Sequence, residues 1–400
     1  MFSYSSPAIA TYLNIASPRT ACVNGSKVAV INTEGIWEVE ADGRKKLIPN
    51  SYHDARDIVA IDGKTYILAV PTGLVKIKTD GTTQKIVDSP ASSKTRVKFL
   101  DGLIIHQSVN TLSIYDTSLN FKAKRTFEVT EVMDFEYKNK YLYISGFQQQ
   151  KRSGIPVQIA FLYRMGFNGI SIFGLPNLSV NNTSATLSVN QGKLWGYNPA
   201  SLVDNMADTR LNRLYISGDK LYVLGSVYGG NSIYRWNGKD LLTETLITTD
   251  KYTNAAQTRD ETKVYTGVVD LTSFTVERGQ LSLTRLLSTG GLGDGNSNFP
   301  KTIYSDGTDI FVGSSAAYAI PNRDSQTFLG KPIPPYRGDA SFLIFPTNLK
   351  TRKAWLTPGN GEILLFNNKF AVIKTGNVND LSTNFGTAQS LPTNTYFIKF

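Results

Sequence analysis

The fold of this chain is indicated by one stretch, Ile61-Asp62-Gly63-Lys64-Thr65-Tyr66-Ile67-Leu68-Ala69-Val70. It starts at the end of one apolar run, passes through an Asp-Gly pair and continues into a second apolar run. Asp-Gly between apolar runs is the strongest short-range signal for a β-hairpin, because both residues tolerate the positive φ angles that the turn needs. The stretch therefore predicts two antiparallel strands joined by a tight turn.

The same pattern recurs along the chain at nearly even spacing. Short polar turns that lead into apolar strands occur at 24–31, 101–105, 138–144, 217–224, 305–312 and 367–373. Counted between the turn residues Gly25, Gly63, Gly102 and Asn139, the spacings are 38, 39 and 37 residues. A regular period of this length predicts a repeat fold in which each unit is a small group of strands.

Two segments supply the rest of the repeating unit. Residues 35–43 and 73–81 both alternate apolar and polar side chains, and both end in Asp-Gly. Alternation indicates a strand with one buried and one solvated face. A further short strand follows each segment, so a unit should contain four strands. In the second unit we place them at 57–61, 65–70, 74–78 and 83–87.

About four strands per unit of about forty residues is the signature of a β-propeller blade. The segment from Lys64 to Gly81 also resembles the broad superfamily of seven- and eight-bladed propellers. That resemblance implies an all-β fold and no particular activity, since propellers include both enzymes and scaffolds. We predict about eight four-stranded blades, with seven as the alternative if the weak unit near residue 263 is not a blade of its own.

The two ends of the chain suggest how the ring closes. Residues 363–400 contain only three candidate strands, whereas an unassigned strand at 8–13 precedes the first unit. We predict that residues 1–14 provide the strand that closes the last blade, because this pairing removes an exposed sheet edge. The whole chain, 1–400, should then form a single propeller with irregular insertions at about 148–154, 177–210, 290–298 and 331–337.

Composition is consistent with aromatic-rich strands. Hydrophobic residues make up 41% of the chain and charged residues 18%, and there are 20 Tyr and 20 Phe. No apolar stretch is long enough for a membrane span. The single cysteine, Cys22, excludes an internal disulfide and is expected to pack as a small hydrophobe. The framework must therefore be held by packing and hydrogen bonds.

The net charge of +10 permits attraction to an anionic surface or a glycan. The basic clusters are short, so we do not expect specific recognition of nucleic acid. Residues 1–10 lack the basic and apolar regions of a secretory signal. The sequence leaves the localisation unknown; cytoplasmic synthesis followed by incorporation into a virion is compatible with it.

Few residues have the pattern of a chemical site. His106 follows an apolar pair within a strand and is expected to be a core imidazole, whereas His53 lies in a polar connection and should be exposed. Residues 294–298 imitate the first half of a calcium loop, but Ser305 stands where the bidentate Glu would be. The candidate funnel carboxylates are Asp57, Asp134, Glu136 and Asp260, and the sequence does not show that they converge. We assign no catalytic, cofactor-binding or metal-binding residue and no cofactor.

Two functional hypotheses remain from different classes. We favour a non-enzymatic structural protein that binds protein partners in an assembly, and the best specific candidate is a virion or phage-tail component. Tail nozzle and hub proteins of some phages are similar to propellers of this kind. The alternative is a propeller enzyme or a glycan-binding protein that acts at the central funnel. Carboxylates that converge there with strongly shifted pKa values, or a bound metal, would favour the alternative.

Overall fold

A computed structural model describes residues 9–152, 155–173, 208–228, 235–236, 239–240, 262–282, 298–319, 327–328, 331–332, 337–349, 353–356, 361–375 and 394–399. Throughout these residues the structure is all-β, and they include no helix long and apolar enough to cross a membrane. They form seven four-stranded antiparallel sheets and two short hairpins. The sheets are the blades of a β-propeller, which confirms the predicted fold class.

The strands of each blade follow one another from the central channel outward. β1 (Ile9–Tyr12) belongs to blade 7. Blade 1 contains β2 (Thr20–Asn24), β3 (Lys27–Ile31), β4 (Gly35–Val39) and β5 (Lys45–Pro49). Blade 2 contains β6 (Asp57–Ala60), β7 (Thr65–Val70), β8 (Gly73–Lys78) and β9 (Thr83–Val87). Blade 3 contains β10 (Arg96–Leu100), β11 (Leu103–Ser108), β12 (Thr111–Asp116) and β13 (Phe121–Thr126). Blade 4 contains β14 (Glu131–Lys138), β15 (Tyr141–Arg152), β16 (Ile155–Phe167) and β17 (Ile172–Phe173).

The later blades carry additional segments between their second and third strands. Blade 5 contains β18 (Asp208–Ser217), β19 (Lys220–Tyr228), β22 (Thr262–Asp270) and β23 (Thr275–Ser282), with the hairpin β20 (Arg235–Trp236) and β21 (Lys239–Asp240) between β19 and β22. Blade 6 contains β24 (Asn298–Ser305), β25 (Asp309–Ala319), β28 (Arg337–Pro346) and β29 (Lys353–Leu356), with the hairpin β26 (Thr327–Phe328) and β27 (Lys331–Pro332) between β25 and β28. Blade 7 contains β30 (Gly361–Phe366), β31 (Phe370–Thr375), β32 (Asn394–Lys399) and β1.

The preferred count of eight blades is wrong, and the alternative of seven is confirmed. The sequence suggests one unit at 214–247 and a weaker one at 263–287. In the structure β19, from the first of these, pairs directly with β22, from the second, so both belong to blade 5. Residues 235–240, which carry the pattern of a third strand and its turn, form the separate hairpin instead. The long segment between β19 and β22 of blade 5 therefore has a sequence pattern that resembles the start of a new blade.

The N-terminal strand closes the ring, as predicted. β1 pairs antiparallel with β32, with Ile9 opposite Lys399. Beyond the strand, the Leu13 N–H donates to the Thr395 carbonyl at 3.0 Å, and Thr395 Oγ1 donates to the Ile15 carbonyl at 2.8 Å. The ring cannot open between its first and last strands without separating this sheet.

The core lies between neighbouring blades, and β7 shows why the second strand of a blade is an unbroken apolar run. All six of its residues are buried. Tyr66 and Leu68 pack into the apolar cluster shared with blade 1, whereas Ile67 and Ala69 pack into the cluster shared with blade 3. Successive side chains of a strand point to opposite faces, so both sets must be apolar when a blade contacts both of its neighbours.

The two faces of the ring differ in the length of their connections. Antiparallel order places the turns after the first and third strands of every blade on one face, the turn face, and the remaining connections on the opposite face, the connection face. Connections on the turn face are short, as at 25–26, 101–102 and 218–219. Long connections leave from the opposite face in the later blades, at 174–207, 229–261, 283–297, 320–336 and 376–393.

Blade 4 differs from its neighbours in the length of its central hairpin. Residues 148–154, expected as an irregular insertion, largely continue the strands: β15 runs to Arg152, β16 starts at Ile155, and Gln148 lies opposite Ile159. β15 is 12 residues long, against 6 for the equivalent β7. At about 3.4 Å per residue the hairpin extends roughly 20 Å further along the connection face.

Candidate functional site

The innermost strands of the blades surround the central channel and carry the buried carboxylates of the candidate site. Asp57 lies on β6, and Asp134 and Glu136 lie on β14. Consecutive inner strands contact one another around the ring, and β30 contacts β2. We call the polar side chains on these strands the channel belt; its members are Thr20, Asp57, Arg96, Lys98, Asp134, Glu136, Arg213, Lys301 and Glu362.

Asp57 joins the first three blades. Its Oδ1 atom accepts a hydrogen bond of 3.1 Å from Thr20 Oγ1 in blade 1. Its Oδ2 atom accepts one of 2.9 Å from the Val97 N–H in blade 3, and Arg96 Nη1 lies 3.9 Å from Oδ1. A carboxylate that accepts donors from both neighbouring strands fixes the spacing of three blades at once.

Lys98 joins the next three blades and is the centre of the belt. Its Nζ atom lies 2.8 Å from Asp134 Oδ1 and 2.9 Å from Glu136 Oε1. It also donates to the Phe135 carbonyl at 2.8 Å and to the Leu214 carbonyl in blade 5 at 3.4 Å. Asp134 Oδ2 in turn accepts a hydrogen bond of 2.8 Å from the Leu214 N–H. One ammonium and two carboxylates thus hold blades 3, 4 and 5 together.

The belt continues through blades 5, 6 and 7. Arg213 Nε donates to the Lys301 carbonyl at 2.8 Å, and Lys301 Nζ lies 2.8 Å from Glu362 Oε1. The carbonyl and the ammonium of Lys301 both take part. This residue of β24 therefore connects blade 6 to blades 5 and 7. Polar contacts therefore run from blade 1 to blade 7, and an apolar cluster joins blade 7 to blade 1.

A β-bulge accompanies the belt in the four later blades. The register between the first and second strands shifts at Met133, Asn212, Lys301 and Leu364, one residue in each of blades 4 to 7. The corresponding pairs in blades 1 to 3 have no such shift. A bulge redirects the side chains beyond it. In blades 4 and 5 the residues immediately after the bulge, Asp134 and Arg213, are belt residues.

The burial of the belt shifts its protonation equilibria. Burial raises the pKa of Glu136 to about 7, with Lys98 opposing this effect and Asp134 adding to it. Burial also raises the pKa of Asp57, against the influence of Arg96. For Lys98 burial disfavours the charged form, but Asp134 and Glu136 outweigh it and the pKa is raised. The centre of the belt holds one ammonium and two carboxyl groups, and with a pKa near neutrality Glu136 is partly protonated at physiological pH.

Two tyrosines lie close to this centre. The rings of Tyr215 and Tyr304 are 4.9 Å apart between centroids. Burial, with Tyr304 and Glu136 nearby, raises the pKa of Tyr215 above its ordinary value. A buried carboxyl group with a pKa near 7 beside phenol groups has the composition of a general acid–base site. The contacts of Lys98 give the same carboxyl group a structural role, and the two roles must be distinguished by experiment.

The two histidines lie where the sequence placed them, and Cys22 differs in part. His106 is buried on β11, where Nδ1 lies 2.8 Å from Ser89 Oγ and Nε2 lies 2.8 Å from Thr95 Oγ1. Burial lowers the pKa of His106 to about 4, so it is neutral at physiological pH. His53 is exposed. Cys22 packs beside the cluster of blades 1 and 2 but is only partly buried, and burial of the thiol raises its pKa.

The remaining sequence candidates lie outside the described residues. These are Asp260 and most of the calcium-like stretch 294–298. Among the residues that the structure describes, no three His, Cys, Asp or Glu side chains are grouped so as to hold a metal ion.

Sequence reasoning missed the residue on which the belt depends. Asp134 and Glu136 share one face of a strand because they are two positions apart, which the sequence does show. Lys98 carries no comparable signal, since a lysine two residues after Arg96 on an amphipathic strand has the pattern of a solvated face. Only the packing of β10 in blade 3 beside β14 in blade 4 brings it to the carboxylates.

Comparisons with known proteins find similar solved structures but no family. No protein-family model matches the chain, and no curated protein matches it. Among solved structures it is similar to BamB from Moraxella catarrhalis, with 10% identity over 98% of this chain and 100% of that one and a TM-score of 0.45. It is also similar to the Pan2 WD40 domain of Neurospora crassa, with 11% identity over 98% and 95% and a TM-score of 0.48. These values support no functional argument.

Proposed function

We propose that this chain is a non-enzymatic propeller that serves as a structural and protein-interaction module. The observation that carries the proposal is the bonding of the channel belt. Asp57, Asp134 and Glu136 lie on innermost strands, but donors from neighbouring blades contact all three of them. These contacts stabilise the ring, and this structural role explains why charged groups lie at the funnel.

The connection face is the proposed partner-binding side. A rigid scaffold commonly carries its variable contacts on loops, and the long connections of the later blades all leave from this face. The long hairpin of blade 4 extends along the same face. We propose that the insertions at about 148–154, 177–210, 290–298 and 331–337 contribute to partner contacts within a single propeller spanning residues 1–400.

A more specific form of the proposal is a virion or phage-tail component. Its support is compositional: the chain has one cysteine and is rich in tyrosine, asparagine and threonine. A ring held by packing and hydrogen bonds without disulfides suits assembly after cytoplasmic synthesis. Protein partners in such an assembly would bind the connection face.

Native mass spectrometry and electron microscopy of the purified chain test the proposal. Rings of several copies, or larger particles, at micromolar concentration would support an assembly role. Variants that shorten the blade 4 hairpin, by deleting residues 149–158, should reduce assembly while the propeller still melts cooperatively. A strictly monomeric protein that retains calcium or a sugar through native spraying would contradict the proposal.

The alternative function is an enzyme or glycan-binding protein that acts at the central funnel. One observation favours it, because the pKa of Glu136 is raised to about 7, within the range of a general acid or base. The test is titration of the wild type and of Glu136→Gln with a panel of oligosaccharides followed by calorimetry. Binding by the wild type that the substitution abolishes, in a variant that still melts cooperatively, would favour this alternative.

A further inference from the structure

A groove on the turn face between blades 4 and 5 has the properties of a binding site. It encloses about 540 Å³, within the range of sites that accept small ligands or a few side chains. Its walls are the first turn of blade 4, the first turn of blade 5 and the third turn of blade 5. The residues that line it are Lys138, Asn139, Tyr141, Tyr143, Arg164, Gly218, Asp219, Leu271 and Thr272.

Arg164 is held in a fixed position in this groove. Its Nη1 atom donates to the Leu271 carbonyl at 3.0 Å and to the Thr272 carbonyl at 3.4 Å. Its guanidinium group lies between two rings, 5.3 Å from the centroid of Tyr141 and 5.0 Å from that of Phe274. Aromatic rings and carbonyl oxygens orient a cation without neutralising it. The groove therefore presents a positive charge whose position is settled before any ligand arrives.

A second cation lies on the same wall. Lys138 Nζ donates to the Gly218 carbonyl, which fixes the ammonium at the mouth of the groove. The one acidic residue among the lining residues, Asp219, has a side chain that is 74% exposed and lies 3.8 Å from Lys220 Nζ. Two cationic side chains and one acidic side chain line the groove, so its net charge is positive. Carbonyl groups help to place both cations.

The groove also offers an aromatic surface. Tyr141 is 45% exposed, although it is a large aromatic residue at the start of a strand. Gly166 lies opposite it on β16, and the ring of Phe173 occupies the space that a side chain at Gly166 would take. An exposed tyrosine beside fixed cations suits a ligand that combines a carboxylate with an apolar stem, which describes a glutamate or aspartate side chain.

We propose that this groove binds an acidic peptide segment of a protein partner. The inference rests on the proposed function as an interaction module and adds a second contact, on the face opposite the long connections. A partner held at both faces would clamp the ring between blades 4 and 5. A peptide fits better than a polyanionic surface, because Arg164 lies in the groove and Lys138 at its mouth, where a narrow chain can reach both cations.

Fluorescence anisotropy with a fluorescein-labelled hexaglutamate peptide tests the proposal on the full chain. Wild type should bind at about 50 mM sodium chloride and more weakly at about 300 mM, since salt screens exposed charges. Lys138→Gln should weaken binding about fivefold, the effect of one solvent-screened charge at contact distance. Asp219→Asn should tighten it, because it removes the opposing charge. Unlabelled hexaglutamine should not compete.

A matched control separates the groove from general electrostatics. Lys64→Gln removes one exposed lysine from the equivalent turn of blade 2, on the same face of the ring, and should leave affinity unchanged. Equal losses in Lys64→Gln and Lys138→Gln would overturn the proposal, as would no binding by a wild type that still assembles. Binding of fluorescein-labelled oligogalacturonate without binding of hexaglutamate would overturn the peptide assignment in favour of an acidic glycan. Loss of assembly with peptide binding intact would contradict the proposed function and leave the groove standing.

Discussion

Replacing Lys98 by methionine tests whether the channel belt holds the ring together. Methionine keeps most of the length of the side chain but removes the ammonium that contacts Asp134 and Glu136 at 2.8 and 2.9 Å. The side chains of these two carboxylates are only 1% and 8% exposed. Removing one partner of a buried ion pair costs about 3–5 kcal/mol, because an uncompensated buried charge remains.

The size of the effect on melting follows from the length of the chain. An unfolding entropy of about 2.1 cal/mol/K per residue gives roughly 0.8 kcal/mol/K for 400 residues. A loss of about 3–5 kcal/mol should then lower the melting temperature by roughly 4–6 °C. Scanning calorimetry at about pH 8 measures this shift, and Lys64→Met, at an exposed turn, should stay within about 1 °C of wild type.

The loss of melting temperature in Lys98→Met relative to wild type, which we call the deficit, should depend on pH, and this dependence makes the test specific. Without the ammonium, which lowers the pKa of Glu136, the folded-state pKa of this carboxyl group rises further above its unfolded value. A carboxyl group with a raised folded pKa binds more protons when folded, so the protein gains stability as pH falls toward the unfolded value. The deficit of Lys98→Met should therefore shrink between about pH 8 and about pH 5. A deficit below about 1 °C, or one that does not change with pH, would refute the role of the belt.

Three further predictions follow from the ring and its turns. Glu136→Gln should gain stability relative to wild type as pH rises from about 4.5 to about 7, because the raised pKa of Glu136 costs the folded wild type progressively more over that window; urea denaturation at several pH values would show no such trend if the carboxyl were unshifted. Deleting residues 1–12 should lower the melting temperature by more than Lys98→Met does, since it exposes the edge of β32, and calorimetry showing an unchanged midpoint would contradict the closure. Gly73→Ala should cost about 3 kcal/mol or more, because the added Cβ would lie 2.0 Å from the Val87 carbonyl oxygen, whereas Gly102→Ala, with open space around it, should cost about 1 kcal/mol; similar losses in chemical denaturation would exclude the clash as the cause.

Sequence patterns predicted the parts of the fold that rest on local chemistry. The hairpin at Asp62-Gly63 was recognisable because glycine there adopts φ +73°. The third turns of blades 1 and 2 could be found in the same way, from Gly43 at φ +86° and Gly81 at φ +89°. At these three turns, where glycine supplies the positive φ, the sequence signal and the structure agree.

Other blades meet the same requirement with residues that carry no turn signal. The third turns of blades 3 and 5 place Leu119 at φ +56° and Phe274 at φ +53°. Both side chains are buried, at 2% and 0% exposure, so burial offsets the backbone strain that glycine would avoid. A buried Leu or Phe in a turn looks like part of a strand. Together with the long segment between β19 and β22, the turn at Phe274 obscures the repeat in blade 5.

The candidate site was less accessible to sequence analysis than the fold. Asp57, Asp134 and Glu136 could be named as candidates, but their convergence depends on which strands are adjacent around the ring. One donor to Asp57 is the backbone N–H of Val97, and one donor to Asp134 is that of Leu214. A backbone donor leaves no trace in residue type, so no inspection of the sequence could have identified it.

The positive charge of the chain also has a structural explanation. Lys76 Nζ donates to the Thr117 carbonyl at 2.8 Å, Lys85 Nζ to the Ser118 carbonyl at 2.9 Å, and Arg125 Nη1 to the Ile172 carbonyl at 2.7 Å. In all three contacts the cation lies in one blade and the carbonyl in the next. Carbonyl groups outside the strand ladders need donors, and long cationic side chains supply them without an acidic partner. A ring joined in this way accumulates positive charge whether or not it binds an anion. The net charge of +10 alone therefore does not indicate a polyanionic partner. The argument for the groove between blades 4 and 5 is that two such cations line one cavity.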